Sequence, residues 1–120
     1  MSMSSQRRNP ERAVQKAIAR WLCAYGCLIA ITDAGAAYKA GAFFGRALPP
    51  GWPDITGLLP DGRFIGVECK SKRGRQSPVQ KFMEQEIRKR NGIYVLAHSV
   101  QDVEKVLEKL KPCRTEQTDS

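Results

Sequence analysis

The sequence predicts an α/β domain, a mixed β-sheet flanked by helices in the order α-β-β-β-α-β-α. Three observations carry that expectation. In "ERAVQKAIARWLCAY", Val14, Ala17, Ile18, Trp21, Leu22 and Tyr25 recur at helical spacing. Two β-rich runs flank Pro60-Asp61-Gly62, a hairpin signature. Ser77-Pro78 then opens a second helical stretch that leads into another β-rich run, and the strand, helix, strand passage over 63–99 suits a right-handed crossover.

In chain order, Asn9 and Pro10 read as an N-cap and a first helical residue, and Gly26 closes that helix. "CLIAIT" (27–32) is a short strand, and "ITGLL" (55–59) with "RFIGVECKS" (63–71) forms the hairpin. The second helix runs to about Arg90, with Asn91-Gly92 as its stop. "GIYVLAHS" (92–99) is the next strand. A last helix follows to Lys111, with Val103, Val106, Leu107 and Leu110 as its apolar face. Residues 33–53 show no clear periodicity, and loops of that length are usually functional or mobile. The domain is expected over 9–111, between a basic tail (1–8) and a polar one (112–120).

A chain of 120 residues is about one domain, and 42% hydrophobic with 27% charged residues is ordinary globular composition. Lys and Arg number 20 against 12 acids, so an anionic partner is expected. No apolar run approaches the roughly 18–20 residues of a membrane span, and the start lacks a signal-peptide core. The expectation is a soluble protein of the cytoplasm, bacterial or of a phage-infected host, with no membrane partner. Cys23, Cys27, Cys69 and Cys113 lack paired metal-ligand spacing and read as reduced thiols, the first three in the core. The lone His98, at a strand end, reads as structural.

The charged residues of the hairpin carry the chemistry. Side chains alternate along a strand, so Ile65, Val67 and Cys69 face a core while Glu68 and Lys70 share the other face. Asp54 lies fourteen positions before Glu68 (68 − 54), the right interval for the preceding strand to bring it alongside. Two acids together suit a hard cation such as Mg²⁺, which takes oxygen ligands and keeps waters for phosphate. The nearby Lys can stabilise charge on a phosphate in the transition state.

The ordered set "GWPD", "VECK", a Gly-containing basic loop and "SPVQ" resembles the PD-(D/E)xK nuclease superfamily, specifically its VRR-NUC family of virus-type replication and repair nucleases. The resemblance spans about residues 10–111 and is to the stand-alone viral and bacterial members. It implies a restriction-endonuclease-like fold. By position it implies Asp54, Glu68 and the Cys69 backbone carbonyl as metal ligands, Lys70 as the catalytic lysine, Gln80 as the helical glutamine and Glu11 as an acid of the first helix. It implies Mg²⁺, with Mn²⁺ substituting, DNA as partner, and a homodimer that resolves four-way junctions in DNA repair.

Helical spacing supports two of these placements. At about 100° per residue from Val14, Glu11 falls at about 60°, between Ile18 and Leu22, so it is expected to face inward. Gln80 falls about 20° from Ile87, at the edge of the apolar stripe of its helix. Plainer readings remain for each residue: a surface ion pair for Glu68 and Lys70, a turn terminator for Asp54, a helix-dipole acid for Glu11, a helix-surface residue for Gln80.

The stretch "KSKRGRQ" supplies Lys72, Arg73 and Arg75 next to the proposed site, with Arg88, Lys89 and Arg90 on the following helix. Phosphate contact is the expected use of such charge, and Lys39 and Arg46 in the long loop are further candidates for DNA contact. No RRM, zinc-finger or helix-turn-helix pattern is present, so recognition would rest on shape. Two alternatives stay open: a catalytically silent nucleic-acid-binding module, and a restriction-type nuclease acting on linear duplex. The last helix and Phe43-Phe44 are candidate dimer surfaces.

Overall fold

A computed structural model of the protein describes residues 10–32 and 48–110. The expectations that fall on Asn9, Lys39, Phe43, Phe44, Arg46, Cys113 and the two tails lie outside the described residues.

Helix α1 spans Pro10–Tyr25. Gly26 ends it at φ 110°, and the Cys27 N–H turns back to the Leu22 carbonyl at 3.0 Å. Strands β1 (Leu28–Ile31), β2 (Ile55–Leu58) and β3 (Phe64–Cys69) follow, then α2 (Pro78–Lys89), β4 (Ile93–Ala97) and α3 (Val100–Glu108), the order the sequence predicts. Ser77 and Ser99 cap α2 and α3 with their side chains. Asn91, at φ 68°, takes the left-handed position after α2, and the Gly92 N–H returns to the Ile87 carbonyl at 2.9 Å.

The four strands lie in the order β1-β2-β3-β4. The first two pairings are antiparallel and β3 with β4 is parallel, so the sheet is mixed. Its two faces are covered differently. On one, Ile55, Ile65, Val67, Cys69, Val95 and Ala97 pack against Ile18 and Leu22 of α1 and Val103 and Leu107 of α3. On the other, α2 lays Met83 and Ile87 against Tyr94, with Trp52, Phe64 and Leu96 around them.

Two expectations change here. Cys23 is exposed, while Cys27 and Cys69 are buried as expected; α1 has only one face against the sheet, and Cys23 follows Leu22 on the side that leaves it. The apolar face of α3 is consumed by the core through Val103 and Leu107, so it is not a free surface for a second copy. Among the described residues the exposed large apolar side chains are Leu28 and Ile31 of the edge strand β1, Leu58 of β2, Tyr25 of α1, and Val79 and Phe82 of α2.

Candidate active site

The "GWPD" stretch is shaped by close backbone approach. Gly51 sits at φ 82°, and a Cβ there would come within 2.5 Å of the Val79 carbonyl oxygen, so only glycine lets the chain lie against the start of α2. Trp52 turns into the core beneath α2 and meets Phe64 edge-on, ring centroids 5.9 Å apart. Pro53 is fully buried over Gly66, where any Cβ would stand 2.8 Å from the proline ring. From the other side Thr32 grips the same backbone: its N–H donates to the Asp54 carbonyl at 2.8 Å and its Oγ1 to the Pro53 carbonyl at 2.6 Å. Asp54 is therefore held by β1, β3 and α2 together.

The β2–β3 register pairs Ile55 with Val67, which brings the preceding Asp54 opposite Glu68. Asp54 Oδ2 accepts the Cys69 N–H at 3.0 Å. In a strand the N–H and C=O of one residue point to the same side, so the Cys69 carbonyl also faces Asp54. The Cys69 side chain points to the opposite, apolar face, where burial pushes the thiol up to about 12 and keeps it protonated. Only its backbone lies beside the two carboxylates.

Glu68 is 3% exposed, which rules out the plain reading of a solvated surface ion pair. Its Oε2 accepts from Gln80 Nε2 at 2.9 Å and lies 3.6 Å from Lys70 Nζ. Its Oε1 is buried and has no hydrogen-bond partner. Gln80 is aimed by its helix cap: its Oε1 accepts the Ser77 N–H at 2.9 Å while its own N–H donates to Ser77 Oγ at 3.2 Å. With the amide oxygen so engaged, the Nε2 end must face Glu68.

Charge balance explains the titration of this pair. Burial first, then the negative charge of Asp54, push Glu68 from 4.5 up to about 8, although Lys70 pulls the other way. Burial also raises Asp54, against the opposing pull of the Cys69 N–H and Lys70. One buried and one half-buried carboxylate lie beside one ammonium, so the pocket is short of positive charge whenever both are ionised. A buried, partnerless oxygen facing that deficit fits a cation. Among the described residues no group of three or more His, Cys, Asp or Glu side chains converges to a full metal cage. Two carboxylates and a carbonyl instead match a hard cation that retains waters.

Glu11 is exposed, contrary to the inward placement expected from its helical angle. Burial along this stripe of α1 grows from Glu11 through half-buried Val14 to Ile18, so the first turn runs past the edge of the core. Its charge still reaches the site and raises both Asp54 and Glu68.

Lys72, Arg73 and Arg75 sit in the loop after β3, exposed, and form no ion pair among the described residues. The basic residues of α2 differ. Arg88 pairs with Glu84 at 2.9 Å, and Lys89 and Arg90 both pair with Glu86, at 3.1 and 2.8 Å. Their charge is largely spent within the helix.

Several contributors carry no signature of their own in the sequence. Gln76 Nε2 donates to Tyr94 OH and to Glu84 Oε1, both at 3.0 Å, while Arg88 donates to Glu84 and to the Tyr94 carbonyl. This network ties α2 to β4 beside Glu68. Burial lifts the Tyr94 hydroxyl to about 12, so it stays protonated. Thr32 is likewise ordinary in isolation, whereas the S-x-x-Q spacing of Ser77 and Gln80 is a capping-box pattern.

Among solved structures the chain is similar to one described as "VRR_NUC domain", at a TM-score of 0.64 and 26% identity over 85% of this chain and 98% of that one. It is also similar to a "VRR_NUC domain protein", at 0.57 and 20% identity over 82% and 85%, a likeness of fold. No family model and no curated protein sequence matches the chain.

Proposed function

The chain belongs to the VRR-NUC family, and from that premise we propose that it is a metal-dependent, structure-selective DNA endonuclease that hydrolyses phosphodiester bonds, most readily at branched DNA such as four-way junctions. The observation that carries this reading is the buried, partnerless Oε1 of Glu68 beside Asp54 and Lys70.

Asp54, Glu68 and the Cys69 carbonyl are the proposed ligands of Mg²⁺, for which Mn²⁺ substitutes. The bound ion would supply Lewis-acid polarisation of a phosphate oxygen and a lowered pKa for an attached water. The chain's own residues supply the rest. Gln80 occupies Oε2 of Glu68 and leaves Oε1 for the ion. The Cys69 N–H and Thr32 hold Asp54 in place. Lys70 presents its ammonium at the same edge, where it orients water and offsets negative charge that gathers on the phosphate oxygens. Glu11, at the rim, adds negative potential. Lys72, Arg73 and Arg75 follow the phosphate backbone, a sequence-independent mode of binding.

The homodimer and the branched substrate rest on the family resemblance, since a two-fold junction suits two sites in one dimer. The edge strand β1 exposes Leu28 and Ile31 beside Leu58 of β2, an apolar surface on which a second copy of the chain could add its own edge.

The test is incubation of the protein with labelled four-way junction, flap, single-stranded and linear duplex DNA, with Mg²⁺ or with EDTA. Paired, symmetric, Mg²⁺-dependent cuts in the junction are expected. Preferential cutting of flap or linear DNA would discard the branch-point assignment and favour a restriction-type nuclease. Tight binding without cleavage of any substrate would leave a silent binding module.

A further inference from the structure

We propose that His98 is a positioning residue that holds the Lys70 side chain in place through the Ser71–Gly74 turn; the functional weight of this role rests on the nuclease reading above. Lys70 is held by the sheet only in part. It lies just past the end of β3, so the sheet fixes its backbone, through a 2.9 Å bond from its N–H to the Ala97 carbonyl, but not its long side chain. A lysine stem with four rotatable bonds needs a wall to point its ammonium in one direction.

The wall is the turn that follows. The Gly74 N–H donates to the Ser71 carbonyl at 2.9 Å and folds the chain back over Lys70. The fit is close: a Cβ on Gly74 would stand 3.2 Å from Lys70 Cβ and 3.3 Å from its Cδ. Backbone therefore lies directly on the lysine stem, and a side chain at position 74 would press it aside.

The far side of the turn is closed by His98. Its Nε2 lies 3.3 Å from the Gly74 carbonyl oxygen. A carbonyl only accepts, so Nε2 carries the proton and donates. The histidine is anchored in turn: its backbone N–H donates to Asp102 Oδ2 at 2.8 Å, and its Nδ1 lies 3.9 Å from the same oxygen. Asp102 sits in the first turn of α3, where its N–H meets Ser99 Oγ at 3.4 Å. Imidazole, Gly74 backbone and lysine stem thus form one chain of contacts. His98 follows Ala97, the residue that accepts the Lys70 N–H, so both ends of these contacts spring from adjacent strands.

The test reads Lys70 directly. Limited acetylation followed by mass spectrometry measures how fast its amine reacts, and hydrogen exchange by NMR measures the opening of the Gly74 N–H. In His98→Ala both are expected to rise several-fold over wild type, while His98→Gln, which keeps a donor near the Nε2 position, stays near wild type. Gly74→Ala approaches the same contacts from the other side and is expected to raise acetylation at Lys70 without removing the histidine. In junction cleavage His98→Ala is expected to lower kcat about 10- to 100-fold, the scale of a small misplacement of a reacting group. Affinity for the same DNA in Ca²⁺ is expected to change little, and His98→Gln to restore kcat.

Unchanged acetylation and exchange in His98→Ala would overturn the proposal, as would equal losses in His98→Ala and His98→Gln. If the wild-type protein cleaved no DNA, the nuclease reading would fall, while the two non-enzymatic measurements would still decide whether His98 holds Lys70.

Discussion

The two faces of the central sheet are built to opposite rules. Toward α1 and α3 the face is apolar, and Ile55, Ile65, Val67 and Ala97 are fully buried without a polar group among them. Toward α2 the face is also covered, yet it buries Glu68, brings Asp54 beside it and leaves a carboxylate oxygen without a partner. Burying charge without compensation is costly, and proteins accept that cost mainly where the charge does something. The first face accounts for why the chain folds, and the second holds the proposed site.

Substitutions can separate the two. Glu68→Gln is expected to reduce Mg²⁺-dependent cleavage about 10²- to 10³-fold, the scale seen when a key electrostatic group is lost. The same change is expected to raise the melting temperature of the metal-free protein at about pH 8, because it removes a buried carboxylate under pressure to stay neutral. A Gln variant less stable than wild type in the absence of metal would show that the carboxylate is structural. On the opposite face, Ile65→Ala is expected to cost about 2–5 kcal/mol in denaturant unfolding. Cleavage per folded molecule should remain close to wild type there.

The pH dependence follows from Glu68. Its pKa is raised in the folded state, from 4.5 to about 8, so its contribution to stability is fully present below the lower value and is lost as pH rises through the upper one. The metal-free protein should therefore become less stable over this window, and Glu68→Gln should flatten the decline. Added Mg²⁺ should raise the melting temperature more at about pH 8 than at about pH 6, since a cation favours the ionised form. An equal rise at both pH values would place the ion elsewhere.

A smaller effect separates the two basic regions. Arg73→Ala with Arg75→Ala should lower the slope of log affinity against log salt by about 2, roughly one for each arginine withdrawn from a phosphate. Lys89→Ala with Arg90→Ala should leave it nearly unchanged, because both cations are paired with Glu86. Equal changes in both variants would mean that α2 also lies on DNA.

Periodicity and spacing made the order of elements legible, because each helix and strand buries a continuous stripe. The interval from Asp54 to Glu68 already implied their meeting, and the hairpin register pairs the flanking Ile55 with Val67. Gln80 was legible for a local reason, its place at the edge of an amphipathic face. Glu11 was misjudged because helical angle gives direction and not depth, and the first turn of α1 passes beyond the core. Whatever depends on segments far apart in sequence stayed hidden: Thr32 holding Asp54, Gln76 joining Tyr94 to Glu84, and His98 reaching Gly74. Nor does any local pattern reveal that α2 covers Glu68, which turns a surface acid into a buried one.

The proposed cation site is the charge deficit around Glu68. Titration with Mn²⁺ followed by EPR, on wild type, Asp54→Asn and Glu68→Gln, addresses it without reference to any substrate. Saturable binding in the wild type that is lost or greatly weakened in both variants is the predicted result. Equal Mn²⁺ binding in all three proteins, or none in the wild type with DNA present, would contradict it.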